Sequence, residues 1–281
     1  MALTRIQPPA VADVREPNFR NIVINGDMAV AQRATSATSI TASGYHAIDR
    51  YSNDISSAGT WTISQDTDVP TGQGFANSLK MDCTTADSSL GAADYLTLNQ
   101  KFEGQNLQYL KKGTSSAQSL TLSFWVKSVL TGTYCVNLID QDNSREIDKS
   151  YTISSASTWE KKTITFAGDT TGTLDDDNAK SLEVLWWLGA GSNYTSGSLQ
   201  TSWGSTVTAN RAVGQVNLAN STSNNFWITG IQLEAGSVAT DFEVVPYDQN
   251  LQRCYRYYEM MADGRQDADA IIALGFVYQT N

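Results

Sequence analysis

Histidine is nearly missing from this 281-residue chain: His46 stands alone. With one imidazole, and neither a Gly-x-Ser-x-Gly turn nor a reactive-looking Cys beside it, Ser/His/Asp and Cys/His hydrolysis are set aside, and His46 reads as a surface or interface side chain. Cysteine is sparse too. Cys83, Cys135 and Cys254 lie far apart, with no CxxC spacing and no Cys/His pairing, so neither a disulfide scaffold nor a zinc site is expected, only buried free thiols. Charged residues make up 17% and leave a net charge of -10, which repels a phosphate backbone, and the basic residues are scattered; no nucleic-acid partner is expected. No apolar run is long enough to span a bilayer, and "MALTRIQPPAVADVREPNF" lacks the apolar centre of a signal peptide. The expectation is a chain made in a cytoplasm and not embedded in a membrane. "GQGFANS" lacks the Lys and the following helix of a phosphate loop, and reads as a connection between strands.

Hydrophobic residues make up 41%, and most of the rest is Ser, Thr, Asn, Gln and Gly. Short alternating segments rich in β-branched and aromatic residues recur between turn-forming clusters, the pattern of an all-β sandwich. In "LTLSFWVKS" the alternation puts Leu120, Leu122, Phe124 and Val126 on one face and Thr121, Ser123, Trp125 and Lys127 on the other. "LEVLWWL" is apolar on both faces and reads as a central strand. Eight to eleven strands in two sheets are expected, with a jelly roll as the architecture. Residues 1–20, with Pro8, Pro9 and Pro17, read as an extended arm. Residues 21–245 form the sandwich, and residues 246–281 a short helix and strand extension. In that extension Asp248 is placed to cap a helix whose stripe carries Leu251, Cys254, Tyr255 and Tyr258, and "AIIALGFVYQ" follows as a final strand-like run. "NIVINGDMAVAQR" opens the sandwich; its strand is expected beside the closing "FWITGIQLE", with Asn25-Gly26 supplying a turn or bulge.

Candidate chemistry is thin. Asp94, Glu103, Glu183 and Glu234 lie in or near strands, and a glycosidase needs only two such carboxylates across a cleft, yet acidic residues are ordinary on sheet surfaces. "DQDNSREID" and "TLDDDNAK" offer weak cation candidates in Asp140, Asp142, Asp175 and Asp177, without the Gly and terminal Glu of an EF-hand. The stretch from Gly189 to Arg211 is long, rich in Ser, Thr and Gly, and carries Tyr194 and Trp203. That mixture of adaptable polar groups and rigid aromatics suits recognition, and these two are the candidate glycan-stacking residues.

Taken together, "NIVINGDMAVAQR", "SGYHAIDRYS", "LTLSFWVKS" and above all "FWITGIQLEAGSVATDFEVVPYDQNLQRCYRYYE" resemble a family of bacteriophage and prophage virion structural proteins of the tail-fibre-like, appendage type, over residues 21–259. The resemblance implies a non-enzymatic virion component, a homotrimer whose residues 1–20 dock on other virion proteins while the sandwich projects toward host-surface glycan. A head-fibre or capsid-decoration protein is the alternative reading, and a polysaccharide-degrading tail enzyme the second. The two ends are also similar, more loosely, to jelly-roll carbohydrate-binding modules of the kind appended to xylanases. Those modules often hold a structural calcium, but Ala29 or Val30 and Thr229-Gly230 stand at the corresponding places, so no cofactor is expected.

Overall fold

A computed structural model describes residues 19–260. The strands are β1 (Ser36–Ile40), β2 (Ser52–Ser56), β3 (Thr60–Asp66), β4 (Ser78–Thr85), β5 (Tyr95–Glu103), β6 (Leu120–Ser128), β7 (Gly132–Asp140), β8 (Arg145–Ile153), β9 (Glu160–Phe166), β10 (Lys180–Ala190), β11 (Gly204–Ser205) and β12 (Asn225–Ala235). Two helices complete the list, α1 (Ser192–Thr195) and α2 (Tyr247–Tyr255). The strands make two six-stranded sheets, ordered β1-β3-β4-β12-β6-β9 and β11-β8-β7-β10-β5-β2. Every ladder is antiparallel. This is a jelly-roll β-sandwich, with twelve strands among the described residues.

The core follows from period-two alternation. Leu120, Leu122, Phe124 and Val126 of β6 turn inward against Leu182, Val184, Trp186 and Leu188 of β10 in one continuous apolar cluster. Each such side chain contributes roughly 1.5–3 kcal/mol on burial. β10 lies between β7 and β5, and its second face is buried as well, which is why "LEVLWWL" carries no polar alternation. β9 is an edge, and its outer positions Lys161, Thr163 and Thr165 are exposed, a charged and polar rim that discourages further pairing.

The opening segment differs from expectation in an instructive way. Residues 21–27 lie beside β12 as foreseen, but without a regular ladder. The Ile22 N–H donates to the Leu233 carbonyl, and the Ile231 N–H to that of Gly26. Between these two bonds the Asn21 side chain takes the place of backbone, donating to Ile231 O at 2.9 Å and accepting from Leu233 N at 3.0 Å. Asn25, not Gly26, adopts the left-handed conformation, at φ 62°. Gly26 is needed for a different reason: a Cβ there would sit 2.1 Å from the Ile231 carbonyl oxygen.

α2 forms where the notional stripe lies, though Asp248 falls inside its first turn and Pro246 occupies the N-cap without a side-chain bond. Its Cys254 and Leu251 pack on Ile24 and Val30, tying the end of the sandwich to its beginning. The three cysteines are free and buried. Burial pushes the Cys135 and Cys254 thiols up to about 12 and Cys83 to about 11. The arm lies outside the described residues except for Phe19 and Arg20, as does the run "AIIALGFVYQ".

Candidate functional site

The second sheet turns one face into the core and the other toward a long loop. Register places Ser52, Asn99, Leu185, Asn137 and Asp148 in one row across that outer face. A neighbouring row carries Asp54, Thr97 and Trp187, and the row on the other side Lys101, Glu183, Ile139 and Glu146. Tyr95 shares the parity of Thr97 and Asn99 on β5 and so points the same way.

Residues 191–215 fold over β7 and β8 and are pinned there. The Asp148 N–H donates to Gln200 O at 2.7 Å, the Gln200 amide returns to Glu146 O, and the Val207 N–H donates to the Glu146 carboxylate at 3.0 Å. Asn137 donates to Arg211 O, and the Ala212 N–H to Tyr194 O. The loop is thereby a fixed wall. Between it and β2 lies a groove of about 230 Å³, lined by Asp54, Tyr95, Gln141, Glu183, Trp187, Tyr194 and Arg211 among others.

Three aromatic rings form its floor and side. Tyr194 meets Tyr95 edge-on at 5.4 Å and Trp187 at 5.1 Å between centroids. Trp187 is buried, with its indole N–H donated to Asn137 Oδ1, whereas Tyr95 and Tyr194 are half-buried and line the groove. The Arg211 guanidinium lies 5.7 Å from the Trp187 ring, with Nε 3.0 Å from Glu146. Burial raises the Tyr95 hydroxyl, Asp54 and Tyr194 raise it further, and Arg211 opposes them. Behind the wall, burial and then the Glu146 charge push Asp148 up to about 8, so it is neutral at pH 7. Glu146 is raised by burial, and its charge is matched by Arg211. The Glu183 carboxylate accepts from Gln141 at 2.9 Å. Fixed donors and acceptors therefore surround a pair of partly open tyrosine rings, an arrangement suited to a flat, hydroxylated ligand with one apolar face.

Of the two residues singled out from the loop's composition, only Tyr194 reaches this groove. Trp203 packs on the main core, donates its indole N–H to Ala167 O at 2.7 Å and lies 5.2 Å from the Lys112 ammonium, in a separate cluster from Tyr194. Like Tyr194 it is half-buried, but it lies outside the groove. Tyr95, Asp54 and Arg211 escaped sequence reasoning. Their chemistry is ordinary, and only strand register shows that they meet.

Three of the four cation candidates, Asp140, Asp142 and Asp177, are engaged by the protein itself, and Asp175 is exposed. Asp140 is fully buried and grips the Lys112 ammonium, which Asp169 approaches at 3.0 Å and the Gly172 carbonyl at 2.8 Å. The oxygens of that loop thus surround an internal cation. Asp142 accepts from the Asp175 N–H 33 residues on, tying two loops together, and Asp177 accepts from Ala179 N within its own turn. Among the described residues no group of three or more His, Cys, Asp or Glu side chains is set to hold a metal ion. At the places matching the module-type calcium, the Ala29 carbonyl accepts from Gln65, and the Thr229 hydroxyl donates to Asn77 O. Glu183 and Glu234 cannot flank one bond, because they stand on different sheets, and Glu234 is buried against Arg20 and Thr240. Glu103 is paired with Arg256, and Asp94 accepts from Gly91 N.

The outer face of the first sheet carries three further half-buried tryptophans, Trp125, Trp159 and Trp227. Trp227 lies between Lys127 at 4.2 Å and Lys80 at 5.3 Å, and the indole N–H groups of Trp227 and Trp159 donate to Asp66 and Asp68. The Trp227 and Trp159 rings are thus engaged by the chain's own charges.

No protein-family model and no curated protein sequence matches the chain. Among solved structures it is similar to the enzymatically active domain of tailspike protein 4 of bacteriophage CBA120, at 12% identity and a TM-score of 0.40. That alignment covers 77% of this chain and 21% of the tailspike chain, so the present chain spans about a fifth of it. A family 61 carbohydrate-binding module in complex with β-1,4-galactotriose is similar at 10% identity and a TM-score of 0.36, over 77% of this chain and 99% of that one. A xylan-binding domain from Paenibacillus barcinonensis follows at 14% identity and 0.35, over 65% and 91%. The sandwich assignment rests on strand order and register.

Proposed function

We propose that this chain is a non-enzymatic glycan-binding component of a phage virion, with the groove between the 191–215 loop and β2 as its binding surface. One observation carries the binding half of the reading: the half-buried Tyr95 and Tyr194 line a concave site already supplied with Asp54, Gln141, Glu183 and Arg211. Aromatic faces take the apolar side of a pyranose, and preset polar groups take its hydroxyls at little ordering cost. The virion half rests on the motif resemblance over residues 21–259, with residues 1–20 as the docking arm and a homotrimer as the assembly. A tail position is preferred over capsid decoration because a groove built for a ligand has no use in bracing a shell.

A glycan microarray probed with the full chain tests binding. Tyr95→Ala and Tyr194→Ala should each weaken a hit by roughly tenfold or more, and Trp203→Ala should not weaken it beyond its effect on folding. Absence of any hit, or hits unmoved by both tyrosine variants, would remove the assignment. Release of reducing sugar from a bound polysaccharide would favour the enzyme reading instead. Immunogold labelling of particles locates the protein, and label over the capsid would sink the tail position.

A further inference from the structure

The groove beside the 191–215 loop carries more negative charge than its neighbours cancel. Its three rings are mutual neighbours: Tyr95 meets Trp187 edge-on at 6.4 Å, closing the triangle begun by the 5.4 Å and 5.1 Å contacts of Tyr194. Asp54 stands opposite Thr97, in the row that leads on to Trp187. Burial, and then the Asp54 charge, raise the Tyr95 hydroxyl, so that charge reaches the rings. The carboxylate accepts from the Asn99 amide at 2.8 Å, and among the described residues it makes no ion pair. Glu183 sits four residues before Trp187 on β10, roughly 13 Å along the strand. It accepts from Gln141, and the ammonium that reaches it, Lys180 at 3.5 Å, is exposed and does not line the groove. Lys101 faces Glu183 across the ladder without pairing with it. The cation that does line the groove, Arg211, is matched by Glu146 at 3.0 Å.

Resting on the glycan reading above, we propose that the ligand is an oligosaccharide of amino sugars whose amines are free and protonated. A neutral sugar laid over Tyr95 and Tyr194 covers Asp54 and takes water from a carboxylate without supplying a counter-charge, which costs binding energy. An acidic sugar adds a like charge and fares worse. An ammonium does the opposite: it meets the Asp54 carboxylate and is also drawn to the electron-rich faces of neighbouring aromatic rings. Glu183 at the far end of the groove gives a second amine of the same chain its partner. Rings with one carboxylate among them and another further along thus favour a chain with repeated positive charge.

Calorimetry of the full chain tests this with two oligosaccharides of equal length, one of glucosamine and one of N-acetylglucosamine, at a pH that keeps the amines protonated. The glucosamine oligomer should bind tighter by roughly tenfold or more, and the ratio of the two affinities should shrink as salt is added. Asp54→Asn and Glu183→Gln should each bring that ratio toward one. Asp176→Asn, in an exposed turn joined to the end of β5 away from Tyr95, should keep the ratio of the wild type. An equal fall in Asp176→Asn would mark attraction to the chain's overall negative charge and overturn the proposal. So would equal affinity for the two oligomers, or a preference that survives both groove substitutions; in either case a hit on the glycan array still upholds the glycan reading. An array without any hit would remove both.

Discussion

Replacing Asp148 with Asn would show whether the wall of the groove stands on a buried neutral acid. The Asp148 carboxyl is fully buried and accepts from the Asn137 amide. Burial, with Glu146 second, pushes it up to about 8 from an ordinary value of 3.8. The folded chain therefore holds this proton more tightly than the unfolded chain does. Stability tied to it is complete below about pH 4 and is lost progressively as pH rises toward about 8. Each unit of difference corresponds to about 1.4 kcal/mol, so the span from the ordinary value to pH 7 sets a ceiling near ~4 kcal/mol. Relaxation of the adjoining Glu146 and Arg211 pair brings the working figure to about 2 kcal/mol. An Asn keeps the shape and cannot ionise. Urea unfolding at pH 4, 7 and 8.5 should show wild type and Asp148→Asn coinciding at the lowest pH, with the variant more stable by about 2 kcal/mol at pH 7. Profiles that stay parallel across the range would refute a neutral Asp148.

Lys112→Met leaves Asp140 buried without its cation, while Asp169 keeps Arg145 at 2.8 Å, and should cost about 3–5 kcal/mol in urea unfolding. Gly26→Ala drives a methyl into the Ile231 carbonyl and should cost about 3 kcal/mol, with the loss visible as a lower urea midpoint. All three thiols should resist a thiol-reactive dye in the folded chain and react only on unfolding, since burial both hides them and raises their pKa values. Trp203→Ala should lower stability by about 3 kcal/mol through lost packing while leaving glycan affinity per folded molecule unchanged.

The sandwich was legible because alternation is a local property. β6 and β10 declare their faces within nine to eleven residues, and the structure places those faces as the pattern required. The opening segment was harder to read, because Asn21 replaces two backbone partners with one side chain, a substitution that no period reveals. The cation candidates misled for a related reason. Asp140 ends β7 where an acidic turn begins, but its partner Lys112 comes from 28 positions earlier in the chain. The groove needed both kinds of information. Loop composition pointed to Tyr194, while Tyr95 and Asp54 joined it only through the pairing of β2 with β5 and of β5 with β10. Trp203 carried the same composition signal as Tyr194, and its place against the main core and away from the groove depends on a fold of the loop that composition does not encode.

The most direct test of the binding site is a crystal structure of the full chain with a glycan identified on the array. The sugar is expected over Tyr95 and Tyr194, with its hydroxyls within hydrogen-bond reach of Asp54, Gln141, Glu183 or Arg211. A sugar seated instead on Trp125, Trp159 and Trp227, across the outer face of the first sheet, would contradict the assignment of the groove.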